Sequence, residues 1–438
     1  MSYFDRSVPA MRFVGMSVIC AILCLPASAF GQAVVAKDRP PNETSRVAPA
    51  AVDDLSPLLS ASVEKFKLPG MAAVIVEGNR VTAIGAAGIR CRGQADRITV
   101  DDQFHIGSDT KSMTATVVAM LIEEGKLRWT STPAEILPKD KVTTIDPAWK
   151  RVTLEELLTH RGGVRANPDP VGLLFLRAFA ESPQQERRDV CRMVLRKPPD
   201  KAPGKGFRYS NTGFIIAGTM AETVAGKPWE DLMRERLFGP LGMASAGYGP
   251  PGMPPAMPPE APPSKKSAKS VGSQSPLPPS AAVQPCGHLE SGLAIPPSWA
   301  ADNPACFGPA GTVHVSLRDW AKYAAFHLAG ERGTPLVLPG ASKPLLSVES
   351  LRRLHTPLGG PMNQSGARYA MGWGVGKDPK TDETVLMHFG SNTFWLAGIA
   401  LYPARNVAIL VATNQGGAEA QQACSQLLRT LAARKPHR

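Results

Sequence analysis

Ser108 and Lys111 stand three residues apart where the lead-in Phe104-His105-Ile106 meets Gly107 and a helical pattern opens on Ser108. Apolar residues at 113, 117, 118, 121 and 122 keep the i, i+4 spacing of a buried helix, and Gly125 marks its end. Both side chains fall on one face of the first turn. Unpaired backbone N–H groups and the positive end of the helix dipole gather there. A serine so placed can attack a carbonyl while its own N–H faces the developing oxyanion. A lysine among those positive partial charges, and partly desolvated, is pushed toward its neutral form and can take the serine's proton. The same spacing recurs at Ser62-Val63-Glu64-Lys65, but inside an amphipathic helix pattern rather than at a helix start. For Ser108 by itself, a plain N-cap serine is the competing reading.

Two further stretches carry chemistry of the same kind. Tyr209-Ser210-Asn211 follows the loop Pro203-Gly204-Lys205-Gly206 and precedes a helix. A tyrosine near Lys111 could relay the proton from Ser108 to a leaving group, and Asn211 could hold both the lysine and a substrate amide oxygen. A buried tyrosine beside a helix-capping asparagine fits the same residues. His388-Phe389-Gly390-Ser391 ends a late strand, where Gly390 would let a substrate lie against the strand edge and the Ser391 N–H could complete an oxyanion hole. His-x-Gly occurs also at His105 and His160, and His160 is expected to cap or pack at a helix end.

The elements that must position these residues alternate in character along the chain. A helix pattern over Leu55 to Lys67 is followed by strands Met71 to Glu77 and Arg80 to Gly88, joined by the hairpin turn Gly78-Asn79. Thr153-Leu154-Glu155-Glu156 is a capping box. Helices are expected from Gln185 to Arg196, Thr212 to Ala225 and Trp229 to Leu237, with another beginning at Ser316-Leu317-Arg318-Asp319. Strands crowd the end at 369–375, 384–388, 394–402 and 406–412, before a last helix over 418–433. Strands at both ends with helices between imply an α+β fold whose antiparallel sheet is completed by the two ends of the chain. The expected boundaries are a signal peptide over 1–29 and a loose N-terminus over 30–54. A discontinuous sheet domain then takes 55–124 and 310–438, an inserted all-helical domain 125–248, and a proline-rich insertion 249–309. A cleft between sheet and helices is where a site is expected.

In this order and setting the three motifs resemble the serine β-lactamase and penicillin-binding-protein superfamily. The likeness is closest to the class C β-lactamase branch with its D-alanyl-D-alanine carboxypeptidase, D-aminopeptidase and esterase relatives. Leu157-Leu158-Thr159-His160-Arg161-Gly162-Gly163, Pro240-Leu241-Gly242-Met243, Gly308-Pro309-Ala310-Gly311 and Met371-Gly372-Trp373-Gly374 add to it. The resemblance implies Ser108 as the acylated nucleophile, Lys111 and Tyr209 sharing the base role, and Asn211, His388, Gly390 and Ser391 contacting substrate. His388 stands where class C β-lactamases carry the lysine of Lys-Thr-Gly, a tripeptide absent from this chain. Phe389 replaces a hydroxyl that would grip a substrate carboxylate, and is expected to offer the substrate an apolar face.

Composition sets limits on partners and address. A chain of 438 residues, 43% hydrophobic, is globular and long enough for more than one core. A net charge of +12 would suit an anionic partner, yet aromatics are 6% and no stacking motif or zinc spacing accompanies it, which argues against nucleic acid. Arg12, the apolar run Phe13 to Leu25 and Ala27-Ser28-Ala29 read as a secretory signal, too short to span a bilayer, so a secreted or periplasmic protein without a membrane span is expected. Of seven cysteines Cys20 and Cys24 would be lost with it, and Cys286 and Cys306 are a candidate bridge in an oxidising compartment. The chain therefore reads as a serine acyl hydrolase needing neither metal nor cofactor, acting on an ester, amide or cell-wall peptide. A class C β-lactamase or D-alanyl-D-alanine carboxypeptidase is the near alternative, and a catalytically idle binder of penicillin or cell-wall peptide the distant one.

Overall fold

The computed structural model describes residues 52–137, 144–253, 284–359 and 368–434. The signal-sequence reading and residues 254–283 of the proline-rich segment lie outside the described residues. The chain begins β1 (Asp53–Asp54), α1 (Ser56–Lys65), β2 (Gly70–Glu77), β3 (Arg80–Gly88), β4 (Gln103–His105) and α2 (Thr110–Glu123). Helices then dominate: α3 (Pro133–Ile136), α4 (Leu154–Leu158), α5 (Pro170–Phe179), α6 (Pro183–Leu195), α7 (Asn211–Ala225) and α8 (Trp229–Met233). The short strands β5 (Gly247–Tyr248), β6 (Gly287–His288) and β7 (Ala294–Ile295) follow, then α9 (Gly308–Gly311), β8 (Val313–Ser316), α10 (Leu317–Glu331) and α11 (Val348–Leu354). The chain closes with β9 (Arg368–Tyr369), β10 (Gly374–Lys377), β11 (Thr384–Ser391), β12 (Leu396–Tyr402), β13 (Val407–Thr413) and α12 (Ala418–Ala432).

Eight strands form one sheet in the order β1-β3-β2-β13-β12-β11-β10-β9, antiparallel at every step except the parallel pair β1 and β3. The fold is α+β. Its strands come from the two ends of the chain because β13 pairs directly with β2, from Val407 opposite Glu77 to Thr413 opposite Met71. Period-two alternation splits the sheet into two faces. Met71, Ala73 and Ile75 pack with Leu59 of α1 and Leu427 of α12, whereas Ala72, Val74 and Val76 belong to the core that holds α2 and α10. That second core runs without a break into the helical part, taking in Trp149, Val190, Phe214 and Trp229.

Helix α2 is the axis of this larger core, with every residue from Thr110 to Leu121 buried. A helix buried on all sides must satisfy its polar side chains internally, and its hydroxyls are turned onto backbone. Ser112 Oγ donates to Asp109 O at 2.8 Å and Thr116 Oγ1 to Ser112 O at 2.9 Å. Helix α7 packs beside it, N-capped by Ser210 and ended by Gly226 at φ +67°. Gly218 of α7 permits close approach to α9, since a Cβ there would sit 2.3 Å from Pro309.

The expected Cys286–Cys306 bridge is not formed; Cys286 is bonded to Cys91. The Cys286 N–H donates to Arg90 O, which brings its Cα within 5.3 Å of that of Cys91. Cys306 lies elsewhere, buried, with its N–H donating to Glu186 Oε2. His288 beside the disulfide has both ring nitrogens engaged, Nε2 by the Arg92 N–H and Nδ1 with Asn414 O, so the cluster acts as a clamp between β3 and β13.

Candidate active site

The nucleophile turn differs in one detail from the expected helix start. Gly107-Ser108-Asp109 forms a 3-10 turn that runs into α2, so Ser108 precedes the α-helix proper. Gly107 adopts φ +49°, and a Cβ there would lie 2.3 Å from Ser391 N, so no side chain fits. Its N–H donates to His105 Nδ1 at 3.1 Å, and His105 Nε2 lies 2.9 Å from Asp302 Oδ1. Asp302 Oδ1 also accepts from Asn392 Nδ2 at 3.0 Å, which ties the turn to the end of β11.

Ser108 is half-exposed and Lys111 fully buried. Lys111 Nζ lies 2.9 Å from Ser108 Oγ and donates to Ala310 O of α9 at 2.6 Å. Burial holds the Lys111 amine well below its ordinary pKa. The same burial raises the Asp109 carboxyl well above its usual range. Neither Asp109 oxygen has a hydrogen-bond partner among the described residues, which fits a neutral acid rather than a counter-ion. A neutral amine beside an accessible hydroxyl can accept its proton. The other Ser-x-x-Lys cannot: Ser62 Oγ bonds back to Leu58 O, and Lys65 Nζ reaches Gln426 on the surface.

Tyr209 completes the group from the opposite side. Its hydroxyl lies beside Ser108, and Lys111 Nζ sits 4.8 Å from its ring centroid. Burial raises the phenol's pKa, so it is a proton donor in the resting site rather than a phenolate. Asn211, the first residue of α7, donates from Nδ2 to Asn167 Oδ1 at 2.8 Å. The expected hold on the lysine falls to Ala310 O instead.

On β11 the strand alternation decides which residues face the nucleophile. His388 Nδ1 lies 3.6 Å from Asp109 Oδ1 and its Nε2 3.0 Å from Tyr369 Oη. Burial pushes the His388 pKa down to about 3, so the imidazole is neutral. A Cβ on Gly390 would lie 2.5 Å from Ser108 N, so this glycine lets the strand backbone touch the nucleophile turn. The Ser391 hydroxyl donates to Trp395 O, leaving only its N–H for an oxyanion. Phe389 corrects the expectation. It points to the other face of the sheet, its ring over Gly398 in the core beside Leu428, and offers the cleft nothing.

With this geometry in hand, the likeness to known proteins is specific. The profile of the Beta-lactamase family matches residues 55–433. The chain belongs to the Beta-lactamase family. Among relatives, an unguisins hydrolase (ungD') of Aspergillus campestris is 23% identical over 82% of this chain and 61% of its own length. Penicillin-binding protein 4 of Amycolatopsis lactamdurans is 28% identical over 70% of each. The chain thus spans less than two thirds of the first of these relatives. The octameric penicillin-binding protein homologue from Pyrococcus abyssi shares the fold, with a TM-score of 0.62 at 20% identity over 86% of this chain and 76% of that one.

Two neighbours of the site in this Beta-lactamase-family chain were not assigned to it by sequence reasoning. Tyr369 bonds His388 from the edge strand β9. His160, expected only to pack at a helix end, grips both sides of Tyr209. The Ser210 N–H donates to its Nδ1 at 3.0 Å and the Arg208 N–H to its carbonyl at 2.8 Å, while its ring lies 4.3 Å from that of Tyr209. It does so from φ +59°, a left-handed conformation unusual for histidine, and its imidazole is kept neutral by burial.

Proposed function

We propose that the protein is a secreted hydrolase of neutral esters, working through an acyl-enzyme on Ser108. The observation that carries this reading is the buried, neutral Lys111 amine 2.9 Å from the half-exposed Ser108 hydroxyl. Ser108 Oγ attacks the ester carbonyl as Lys111 takes its proton. The tetrahedral oxyanion is met by the N–H groups of Ser108 and Ser391, whose backbones are pressed together through Gly107 and Gly390. Collapse expels the alkoxide, which takes the Tyr209 proton, and the phenol is refilled from Lys111. Water then attacks the acyl carbon by the reverse proton path and frees Ser108.

Neutral substrates are favoured because His388 brings no positive charge to the strand edge. A carboxylate left there without a cation is costly to bury. The second reading, a β-lactamase or D-alanyl-D-alanine carboxypeptidase, is supported by the family match and by a relative in Escherichia coli named as a putative D-alanyl-D-alanine carboxypeptidase, 28% identical over 42% of this chain. Intact-mass analysis after a fluorophosphonate and after penicillin, with kcat/KM for a short-chain ester and a cephalosporin, separates the two. The expected result is a single adduct lost in Ser108→Ala, with the ester turned over faster. Faster cephalosporin turnover would move the second reading into first place, and an adduct surviving Ser108→Ala would remove the nucleophile. Secretion is supported by the disulfide, and N-terminal sequencing of the exported chain tests it.

A further inference from the structure

Among the described α-helices, α5 alone buries none of its residues. Val171, Leu174, Phe175 and Phe179 are 73%, 44%, 66% and 72% exposed, and their spacing sets them in one stripe. The rings of Phe175 and Phe179 touch at 4.9 Å, while Leu173 and Leu176 turn inward to the core. The helix is nonetheless firmly mounted. Asp169 Oδ2 caps it by accepting from Gly172 N at 2.8 Å, and Gly172 packs so close to α6 that a Cβ would lie 2.5 Å from Met193 Sδ. A helix bathed in water on that side would carry polar residues there.

The surroundings of the stripe are basic. Residues 161–208 hold eleven Lys or Arg against five Asp or Glu, which is half of the chain's net +12 in about a ninth of its length. Two loops gather much of that charge, joined by Lys201 N to Gly163 O at 3.1 Å and Gly204 N to Arg161 O at 2.9 Å. They bring Arg161, Arg165, Lys201, Lys205 and Arg208 together, with Asp200 facing Arg165 and Arg208 as the carboxylate between them. The same loops border the site. Ala166 O accepts the N–H groups of Asn211 and Thr212, four residues before α5 begins.

We propose that α5 is an interfacial anchor that lies flat in the headgroup region of an anionic lipid surface. The apolar stripe enters the acyl boundary, and the basic loops meet the lipid phosphates, holding the Ser108 site beside that surface. A ten-residue helix is too short to cross a bilayer, and no described helix is long and apolar enough to do so, but lying in the plane needs no such length. Charge and apolar stripe together fit this partner better than a neutral one.

The test is co-sedimentation of the purified protein with phosphatidylglycerol vesicles and with phosphatidylcholine vesicles. Binding to the anionic vesicles is expected, weakened by 0.5 M salt, and reduced about tenfold or more by Phe175→Ser with Phe179→Ser. A Phe175→Trp reporter should shift to the blue on mixing and be quenched by brominated acyl chains. Unchanged binding by the double variant, or an indole that stays in water, would overturn the proposal. So would a concentration-dependent dimer that the double variant dissolves, since a second copy would then be what covers the stripe. Circular dichroism and thermal unfolding that match the native protein show that the variants are folded. Because binding needs no turnover, Ser108→Ala should bind vesicles as the native protein does, so this inference and the hydrolytic reading fail independently.

Discussion

An amine buried without a counter-charge is a base only while it is neutral, and this makes Lys111 sensitive to substitutions that look mild. Arginine cannot give up its proton in a protein. Lys111→Arg should therefore lower kcat by about 10³-fold or more while substrate still binds, read from steady-state kinetics on a short-chain ester. Tyr209, protonated at rest, is assigned to the leaving group, and that assignment has its own signature. Tyr209→Phe should cost about 10²-fold or more with alkyl esters, whose alkoxides need a proton, and tenfold or less with a nitrophenyl ester, whose leaving group does not. Equal losses with both would contradict it. The strand residues also separate by role. Phe389→Thr should act as a core truncation, lowering stability by about 2–4 kcal/mol in a denaturant titration without altering substrate preference. His388→Lys alone should shift kcat/KM toward carboxylate-bearing substrates by about tenfold. The sequence placed His388, Gly390 and Ser391 at the site, but it set Phe389 there too. Neighbours in a strand point to opposite faces, and which parity meets the cleft depends on what packs behind, here Gly398 and Leu428.

At the scale of elements, helix ends and strand pairs announced themselves through local chemistry. The capping box at Thr153 and Glu156 forms as the four residues suggest, and the hairpin at Gly78-Asn79 joins β2 to β3. Other elements stayed hidden. Helix α5 is an apolar run whose stripe faces outward, so its pattern lacks the polar residues that mark a surface helix. His160 was hidden for another reason: its value lies in two backbone bonds it receives from a loop about fifty residues on, and no motif spacing encodes those. It is best described as a positioning residue for Tyr209. His160→Ala should lower kcat about 10²-fold with KM nearly unchanged. His160→Asn should recover most of that, because asparagine tolerates positive φ and presents an acceptor to the Ser210 N–H. Equal loss in both variants, or a loss confined to KM, would contradict the positioning role.

For the whole molecule, the helical part and one face of the sheet share a core, so the site sits where the two meet within a continuous interior. That interior also keeps histidines neutral. His314, bonded through Nδ1 to Gly249 O, has its pKa lowered to about 4 by burial. Since the folded pKa lies below the unfolded value near 6.5, the unfolded chain binds the extra proton first on acidification. The associated stability is intact above about pH 6.5 and is lost as pH falls toward 4. Asp109, raised by burial, works in the opposite sense, so the contribution of His314 is best read by difference. Between pH 7 and pH 5, His314→Gln should lose about 2 kcal/mol less stability than the native protein, measured by chemical denaturation at both pH values. Parallel pH dependence in the two proteins would show that His314 is not titrating in this window.

The bond between Cys91 and Cys286 turns the intervening chain into a covalent ring, 195 residues around by sequence separation, that carries Ser108, Lys111 and Tyr209. His388 and Ser391 lie on the tail outside it. A protease that cuts once anywhere between the two cysteines opens the ring without releasing a fragment. The product is a two-chain molecule that migrates as one species until a thiol is added and as two afterwards. Outside the cysteines the same cut sheds a piece at once. The order in which fragments appear on reducing and non-reducing gels therefore maps where the chain is accessible, with the protein as its own ruler.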